Sequence, residues 1–312
     1  MSFWANKRVV VTGGAGFFGH FVVERLIAAG AAEVTVPRSR DYDLVDRSAV
    51  QRLFADAKPD LVFHLAARVG GIGANRAKPG LFLFENAMMG LHVIEEARLA
   101  KTKKVVVAGT VCSYPKLAPL PFKESDLWNG YPAETNAPYG IAKKLLLVQA
   151  QAYREQYGLD TVMLVPVNMY GPRDNFDPET SHVIPAMIRK FIVAKEEGAA
   201  TVTLWGDGTP TREFIYADDA ARGIILAAEH LDSSEPVNLG SGNEISIAEL
   251  ARVIAAEVGY TGSIEWDTSQ PNGQPRRQLD VSLAKERFGF IATTSFADGL
   301  ARTVAWYLEQ RS

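Results

Sequence analysis

The chain has 312 residues, 47% of them hydrophobic, with 33 Lys plus Arg against 36 Asp plus Glu and a formal net charge of −3. That length and apolarity suit a sizeable core in one large domain or two unequal ones, and the absence of any block of like charge argues against a general nucleic-acid surface. No apolar run approaches the roughly 20 residues needed to cross a bilayer, and neither end resembles a lipidation site. Cys112 is the single cysteine and cannot form an internal disulfide, and the N-terminus runs into a strand pattern without a signal-peptide core. A reducing, cytoplasmic setting and no membrane partner are expected.

In chain order, short apolar runs alternate with longer amphipathic ones: Arg8–Thr12 then Phe17–Ala29, Glu33–Val36 then Arg47–Asp56, Leu61–Leu65 then Pro79–Ala100, and Lys104–Ala108. A helix over Tyr139–Tyr157 and a strand over Thr161–Val165 continue the series. Strand–helix alternation of this kind predicts an α/β fold, a doubly wound parallel sheet covered on both faces. After Pro166 the composition turns richer in Gly, Pro and polar residues, with turns at Tyr170-Gly171-Pro172 and Gly206-Asp207-Gly208. A smaller α/β substrate domain is expected there. The division reads as 1–167 for a dinucleotide-binding domain, with a returning segment near 213–232, and 168–312 mainly for substrate.

The first strand leads into Gly13-Gly14-Ala15-Gly16-Phe17-Phe18-Gly19, a Gly-x-x-Gly-x-x-Gly spacing at the start of a helix. Gly13 permits the sharp exit from the strand, Gly16 lets backbone approach a pyrophosphate, and Gly19 brings helix and strand together, while the helix N-terminus turns its free N–H groups toward the phosphates. Glycine-rich turns also serve geometry alone; the surrounding βαβ series is what favours a dinucleotide. Where an NAD-selective site usually places an acidic residue after the second strand, this chain has Pro37-Arg38-Ser39-Arg40. Arginine suits a 2′-phosphate, so NADP(H) is the expected cofactor, although either arginine alone also reads as a solvated loop charge.

Tyr139 and Lys143 lie four apart in Tyr-Gly-Ile-Ala-Lys, which sets phenol and ammonium on one helix face. A free phenol has a pKa of about 10, and an adjacent cation is expected to lower it. Upstream, Gly109-Thr110-Val111-Cys112-Ser113-Tyr114-Pro115 follows a strand, so Thr110 offers a hydroxyl at the carboxyl end, where doubly wound sheets bind ligands. A lone cysteine is more often core than base, and a lone histidine is equally uninformative, so His20, His64, His92 and His230 read as structural or surface residues. No Cys/His cluster has metal spacing, and no metal is expected.

Together these segments resemble the extended short-chain dehydrogenase/reductase family over almost the whole chain. The likeness takes in the glycine turn, His64-Leu65-Ala66-Ala67, Val69-Gly70-Gly71-Ile72, Cys112 with Tyr114-Pro115, and Tyr139 with Lys143. It continues through Asn168-Met169-Tyr170-Gly171-Pro172, Ser181-His182-Val183-Ile184-Pro185-Ala186, the stretch from Trp205 to Phe214, and Asn238-Leu239-Gly240. The resemblance implies a Rossmann-type fold and a Thr110–Tyr139–Lys143 triad for hydride transfer at C4 of a sugar. Cys112 and His182 are implied to exchange protons at C3 and C5. For the cofactor it implies contacts from Gly13, Gly16, Phe17, Phe18, Gly19, Arg38, Asp43, Leu44, Leu65, Ala66, Ala67, Asn86, Tyr139, Lys143, Pro166, Asn168, Met169 and His182. For the substrate it implies Asn168, Val183, Lys190, Trp205, Arg212 and Arg277. Thr110 departs from a serine common in the family, which keeps the hydroxyl and adds a methyl.

The chemistry agrees with the resemblance. Protons beside a C4 ketone become acidic when the enolate oxygen is stabilised, and inversion needs one group to take a proton and another to return it on the opposite face. The expected activity is therefore NADPH-dependent 3,5-epimerisation and 4-reduction of a GDP-linked 4-keto-6-deoxyhexose, giving GDP-L-fucose or a close analogue. Alternatives are a nucleotide-sugar epimerase without net reduction and a non-catalytic dinucleotide-binding regulator; intact Tyr139, Lys143, Cys112 and His182 argue against the regulator. Helices Pro79–Ala100 and Tyr139–Tyr157 are apolar over more than one face, which fits either a partner surface or helices buried within one chain, and the resemblance implies a homodimer through them.

Overall fold

The computed structural model describes residues 2–270 and 272–311. A six-stranded sheet forms the larger part: β1 (Arg8–Thr12), β2 (Glu33–Thr35), β3 (Leu61–His64), β4 (Lys104–Ala108), β5 (Asp160–Pro166) and β9 (Pro236–Leu239), in the order β2-β1-β3-β4-β5-β9. Every pairing in it is parallel. Val9, Val10 and Val11 of β1 and all four residues of β3 are buried. A strand covered on both faces has no solvent side to select polar residues, so its sequence does not alternate. Each fully buried valine contributes about 1.5–3 kcal/mol relative to exposure.

Helices complete the layers. On one side α1 (Phe17–Ala28) packs against α7 (Ala217–His230), and α7 against α9 (Ser282–Phe288). On the other, α4 (Pro79–Leu99) packs between α2 (Arg47–Ala57) and α5 (Ala137–Tyr157). Chain order reverses at β1: α1 carries the chain out to β2, and α2 brings it back to β3 on the opposite side of β1. Such a reversal opens a crevice beyond the carboxyl ends of the strands. Thr12 and His64 are register partners at that end, as are His64 and Val107.

A second core gathers α6 (Val183–Glu196), α8 (Ile247–Val258) and α10 (Phe296–Glu309) with two small sheets. One is β10 (Glu244–Ser246), β8 (Thr211–Tyr216) and β6 (Asn168–Tyr170); the other pairs β11 (Ser263–Asp267) with β7 (Thr201–Trp205). The chain does not stay in this half once it enters. Apolar residues of α7, β9 and α9 return to the first core, along with Leu279 and Phe290.

Residues 274–280 strap the two halves together. The Thr211 and Glu213 N–H groups donate to the carbonyls of Pro275 (2.9 Å) and Arg277 (3.2 Å), and the Phe122 N–H donates to that of Gln278 (2.8 Å). The buried Glu213 carboxylate accepts from the Leu279 N–H (2.8 Å) and the Gly242 N–H (2.7 Å). Asn238, fully buried, accepts from the Tyr114 hydroxyl (2.7 Å) and donates to the carbonyls of Phe122 (2.9 Å) and Asp280 (3.0 Å). Buried polar groups cost most when unpaired, so this network holds the Tyr114 segment and the strap in one arrangement.

Candidate active site

The glycine turn sits at the crevice. Gly13 has φ +73°, in the left-handed region, and a Cβ on it would stand 2.7 Å from the Ala66 nitrogen. The loop after β1 is therefore pressed against Leu65 and Ala66 as they leave β3. Gly19 is closed from the other side, since a Cβ there would run into the Gly13 carbonyl oxygen. At Gly16 such a Cβ would stand 3.2 Å from the Gly13 oxygen. Gly16 begins α1 with no side-chain cap and no acidic residue in the first turn. A helix start with no side-chain cap leaves its N–H groups available to a diphosphate.

Other cofactor candidates rim this space. Arg38 is exposed just beyond β2 and, among the described residues, its side chain forms no ion pair, whereas Arg40 pairs with Asp41. A free guanidinium there fits a 2′-phosphate. Asp43 is exposed and accepts from the Val45 N–H (3.0 Å), while Leu44 is packed into the core. Phe17 and Phe18 form the first turn of α1, and Ala67 follows Ala66 out of β3. Asn86, buried on α4, spends its amide on backbone: it accepts from the Arg68 N–H (2.9 Å) and donates to the carbonyls of Arg68 (3.0 Å) and Phe82 (2.7 Å). It thereby fixes the path of the segment after β3. Pro166 ends β5, and Asn168 and Met169 open β6.

At the end of β4 the chain makes a tight turn, Val111–Ser113, whose cap is Thr110: its hydroxyl accepts from the Cys112 N–H at 3.2 Å. This turn lies against the first turn of α5. The Ser113 hydroxyl donates to the Gly140 carbonyl (3.1 Å), and a Cβ on Gly140 would collide with the Cys112 carbonyl group. Tyr139, beside Gly140, lies close enough to the Thr110 hydroxyl for it to favour the phenolate. One backbone clamp thus brings the Thr110 hydroxyl, the Cys112 thiol and the Tyr139 phenol together.

Lys143 stands one turn along α5, buried, with Nζ 6.0 Å from the centroid of the Tyr139 ring. The expectation that its charge lowers the phenol pKa does not survive. Burial pushes Tyr139 up, Cys112 adds to the rise, and only the Thr110 hydrogen bond opposes it. Burial likewise pushes Lys143 down to about 8. Desolvation outweighs attraction across that gap. His64, fully buried, shares a 2.9 Å hydrogen bond between Nδ1 and the Thr12 hydroxyl, and burial followed by the Lys143 charge lowers it to about 3. It is neutral and part of the floor.

His182 is the N-cap of α6, with no side-chain capping bond. It opens to solvent, yet desolvation by the surrounding protein lowers its pKa below the ordinary imidazole value. Among the described residues no hydrogen bond joins it to Cys112, Thr110 or Tyr139; the preceding Ser181 carbonyl faces Gly71, on the segment after β3. Val183 follows it as the first residue of α6. Lys190 does not point a free ammonium at the crevice, because Nζ donates to the Thr203 carbonyl at 2.9 Å. Trp205, at the end of β7, is 70% exposed, an open aromatic face.

Arg212 on β8 is half-buried, and burial followed by the nearby Arg277 lowers it to about 10. Arg277 donates from Nε to the Gln274 side-chain oxygen (2.5 Å) and from Nη1 to the Cys112 sulfur (3.8 Å). Two guanidinium groups at close quarters need an anion, and a diphosphate supplies one. Gly140, Asn238, Gln274 and the strap were not among the candidates read from sequence. Of these only Gly140 and Asn238 stand inside the segments quoted above. No group of three or more His, Cys, Asp or Glu able to hold a metal is present among the described residues.

The site and fold define a class: the chain belongs to the NAD dependent epimerase/dehydratase family, whose model matches residues 9–240. It is an extended short-chain dehydrogenase/reductase, and its relatives narrow the class. It is 40% identical to a probable GDP-L-fucose synthase 1 of Oryza sativa subsp. japonica, over 99% of this chain and 94% of the relative. It is 38% identical to the GDP-L-fucose synthase of Escherichia coli (strain K12), over 98% of each. Among solved structures, a gdp-l-fucose synthetase from Naegleria fowleri bound to NADP superposes with a TM-score of 0.91 at 28% identity, covering 100% of this chain and 97% of the other. A GDP-6-OMe-4-keto-L-xylo-heptose reductase from C. jejuni superposes with a TM-score of 0.93 at 30% identity, covering 98% of each.

Proposed function

We propose that this protein epimerises a GDP-4-keto-6-deoxyhexose at C3 and C5 and reduces it at C4 with NADPH, giving GDP-L-fucose or a close analogue. The observation that carries this reading is the clamp between Thr110–Ser113 and the start of α5, which presents a hydroxyl, a thiol and a phenol at one point of the crevice. The named relatives, nearly co-extensive with the chain, supply the substrate class. Bound NADPH supplies the hydride. The residues supply the rest.

In the epimerisations, Cys112 and His182 act as the proton-exchanging pair, one taking a proton beside the ketone and the other returning it on the opposite face. The enolate oxygen left behind is held by the Thr110 hydroxyl and the Tyr139 phenol. In the reduction Tyr139 gives its proton to the C4 oxygen. The elevated phenol pKa keeps that proton in place near neutrality, which suits a donor. Lys143 orients the nicotinamide ribose and, charged below about pH 8, stabilises the phenolate once the proton has left. Arg212 and Arg277 take the diphosphate, and Trp205 offers the guanine a stacking face.

The exposed Leu83, Phe84, Leu145 and Val148 of α4 and α5 support a homodimer through those helices. A free Cys112 and a reduced nicotinamide suit the cytoplasm, and no helix among the described residues is long and apolar enough to cross a membrane. The test is incubation with GDP-4-keto-6-deoxymannose and NADPH in deuterated water. Loss of NADPH with deuterium at C3 and C5 is expected. Exchange without oxidation would move the protein to the epimerases that do not reduce, and neither signal would refute the substrate.

A further inference from the structure

We infer that Gln274 and Arg277 form a brace on the strap that sets the reactivity of Cys112, with Gln274 as the positioning residue for the guanidinium and the guanidinium as the partner of the sulfur. This deepens the reading above and rests on it where substrate is concerned. Arg277 spends Nε on the Gln274 side-chain oxygen at 2.5 Å, which fixes the plane of the guanidinium. Nη1 then faces the Cys112 sulfur at 3.8 Å, a distance suited to a weak N–H···S contact. Gln274 is itself held, donating from Nε2 to the Lys116 carbonyl at 2.8 Å, on the same loop that follows Cys112. The backbone of the strap is fixed at Arg277 by the Glu213 N–H.

The consequence is electrostatic. A thiol that takes a proton must first be a thiolate, and a guanidinium beside it favours the anion. A guanidinium is a permanent cation, so the bias is constant. A residue that only touched the diphosphate would leave Cys112 unchanged in the absence of substrate. Reactivity without substrate therefore separates the two roles.

Cys112 is the single cysteine of the chain, so alkylation of the purified protein by iodoacetamide, followed by mass, reports this one sulfur. Rates are measured without substrate from about pH 6 to about pH 9, the range in which thiols ionise. In Arg277→Gln the alkylation rate near neutrality is expected to fall about tenfold. Arg277→Lys should restore part of it, and Gln274→Ala, which leaves the guanidinium but frees it, should show a smaller loss. Wild-type pH profiles in both Arg277→Gln and Gln274→Ala, with melting midpoints unchanged, would overturn the brace. Deuterium exchange into GDP-4-keto-6-deoxymannose is then followed in the same variants, and C3/C5 exchange should slow in step with alkylation. If wild-type protein exchanges nothing, the proposed function fails while the alkylation profiles still decide the brace.

Discussion

Gly140→Ala is the sharpest probe of how α5 sets the site. A methyl at this position lies well inside 3.0 Å of the Cys112 carbonyl oxygen, at 3.0 Å from its carbonyl carbon and 3.3 Å from the Ser113 Cα. All three neighbours are backbone and cannot swing aside. Helix propensity favours alanine over glycine by about 1 kcal/mol, and overpacking costs about 1–3 kcal/mol, so the clash outweighs the gain by up to about 2 kcal/mol. For a chain of this size that is a fall in melting midpoint of up to about 3 °C. The larger effect should be on turnover. Pushing Thr110 and Cys112 away from Tyr139 misplaces reacting groups, and a displacement of about 1 Å costs up to about 100-fold. The assay pairs thermal melting with NADPH consumption on GDP-4-keto-6-deoxymannose, using Gly80→Ala as a control, since nothing lies within 4 Å of a Cβ there. A Gly140→Ala enzyme that melts and turns over as wild type would show the clamp to be slack and the argument wrong.

Burial lowers Lys143 from 10.5 to about 8, so the native state binds fewer protons than the unfolded chain between those values and stability from this group rises with pH across that window. In nucleotide-free protein Lys143→Met should therefore be more stable than wild type near pH 7, by about 3 kcal/mol at most, with the gap in denaturant unfolding closing by about pH 10. A constant gap would place the ammonium in contact with water. Asp174 is the opposite case: burial raises it from 3.8 to about 7, and the native state binds more protons between those values. Its cost grows as pH rises through that window, so Asp174→Asn should melt higher than wild type at pH 8 and lose the advantage toward pH 4. Arg38→Ala should weaken NADPH binding by about 10-fold or more and leave NADH unchanged, as loss of a charge-assisted bond to a 2′-phosphate requires. Equal losses for both nucleotides in titration would remove Arg38 from the 2′-phosphate.

The elements that the chain announces are those governed by local spacing. Val9, Val10 and Val11 of β1 and Leu61, Val62 and Phe63 of β3 are apolar without alternation because both faces are covered, and the glycine spacing from Gly13 to Gly19 answers to contacts within one turn and the strand beside it. The four-residue step from Tyr139 to Lys143 fixes a shared helix face, whatever the rest of the molecule does. Fold class and the outline of the crevice follow from such periodicities, together with the resemblance they support.

What needed the tertiary structure is whatever depends on burial or on partners distant in sequence. Spacing put an ammonium beside a phenol and so implied a lowered phenol pKa; packing of α5 against β5 and the Thr110 turn desolvates both groups and reverses the sign for Tyr139. Lys190 and Asn86 read as ligand contacts, but their polar atoms face carbonyls or N–H groups that only folding brings near. Arg277 meets Cys112 across 165 positions of sequence because the strap crosses from the second half back to the first. Helical and strand periods persist over a few residues, whereas sheet order and domain return are decided by which apolar surfaces pack together; the sequence by itself determined the parts and their faces, and packing decided their neighbours and their charge states.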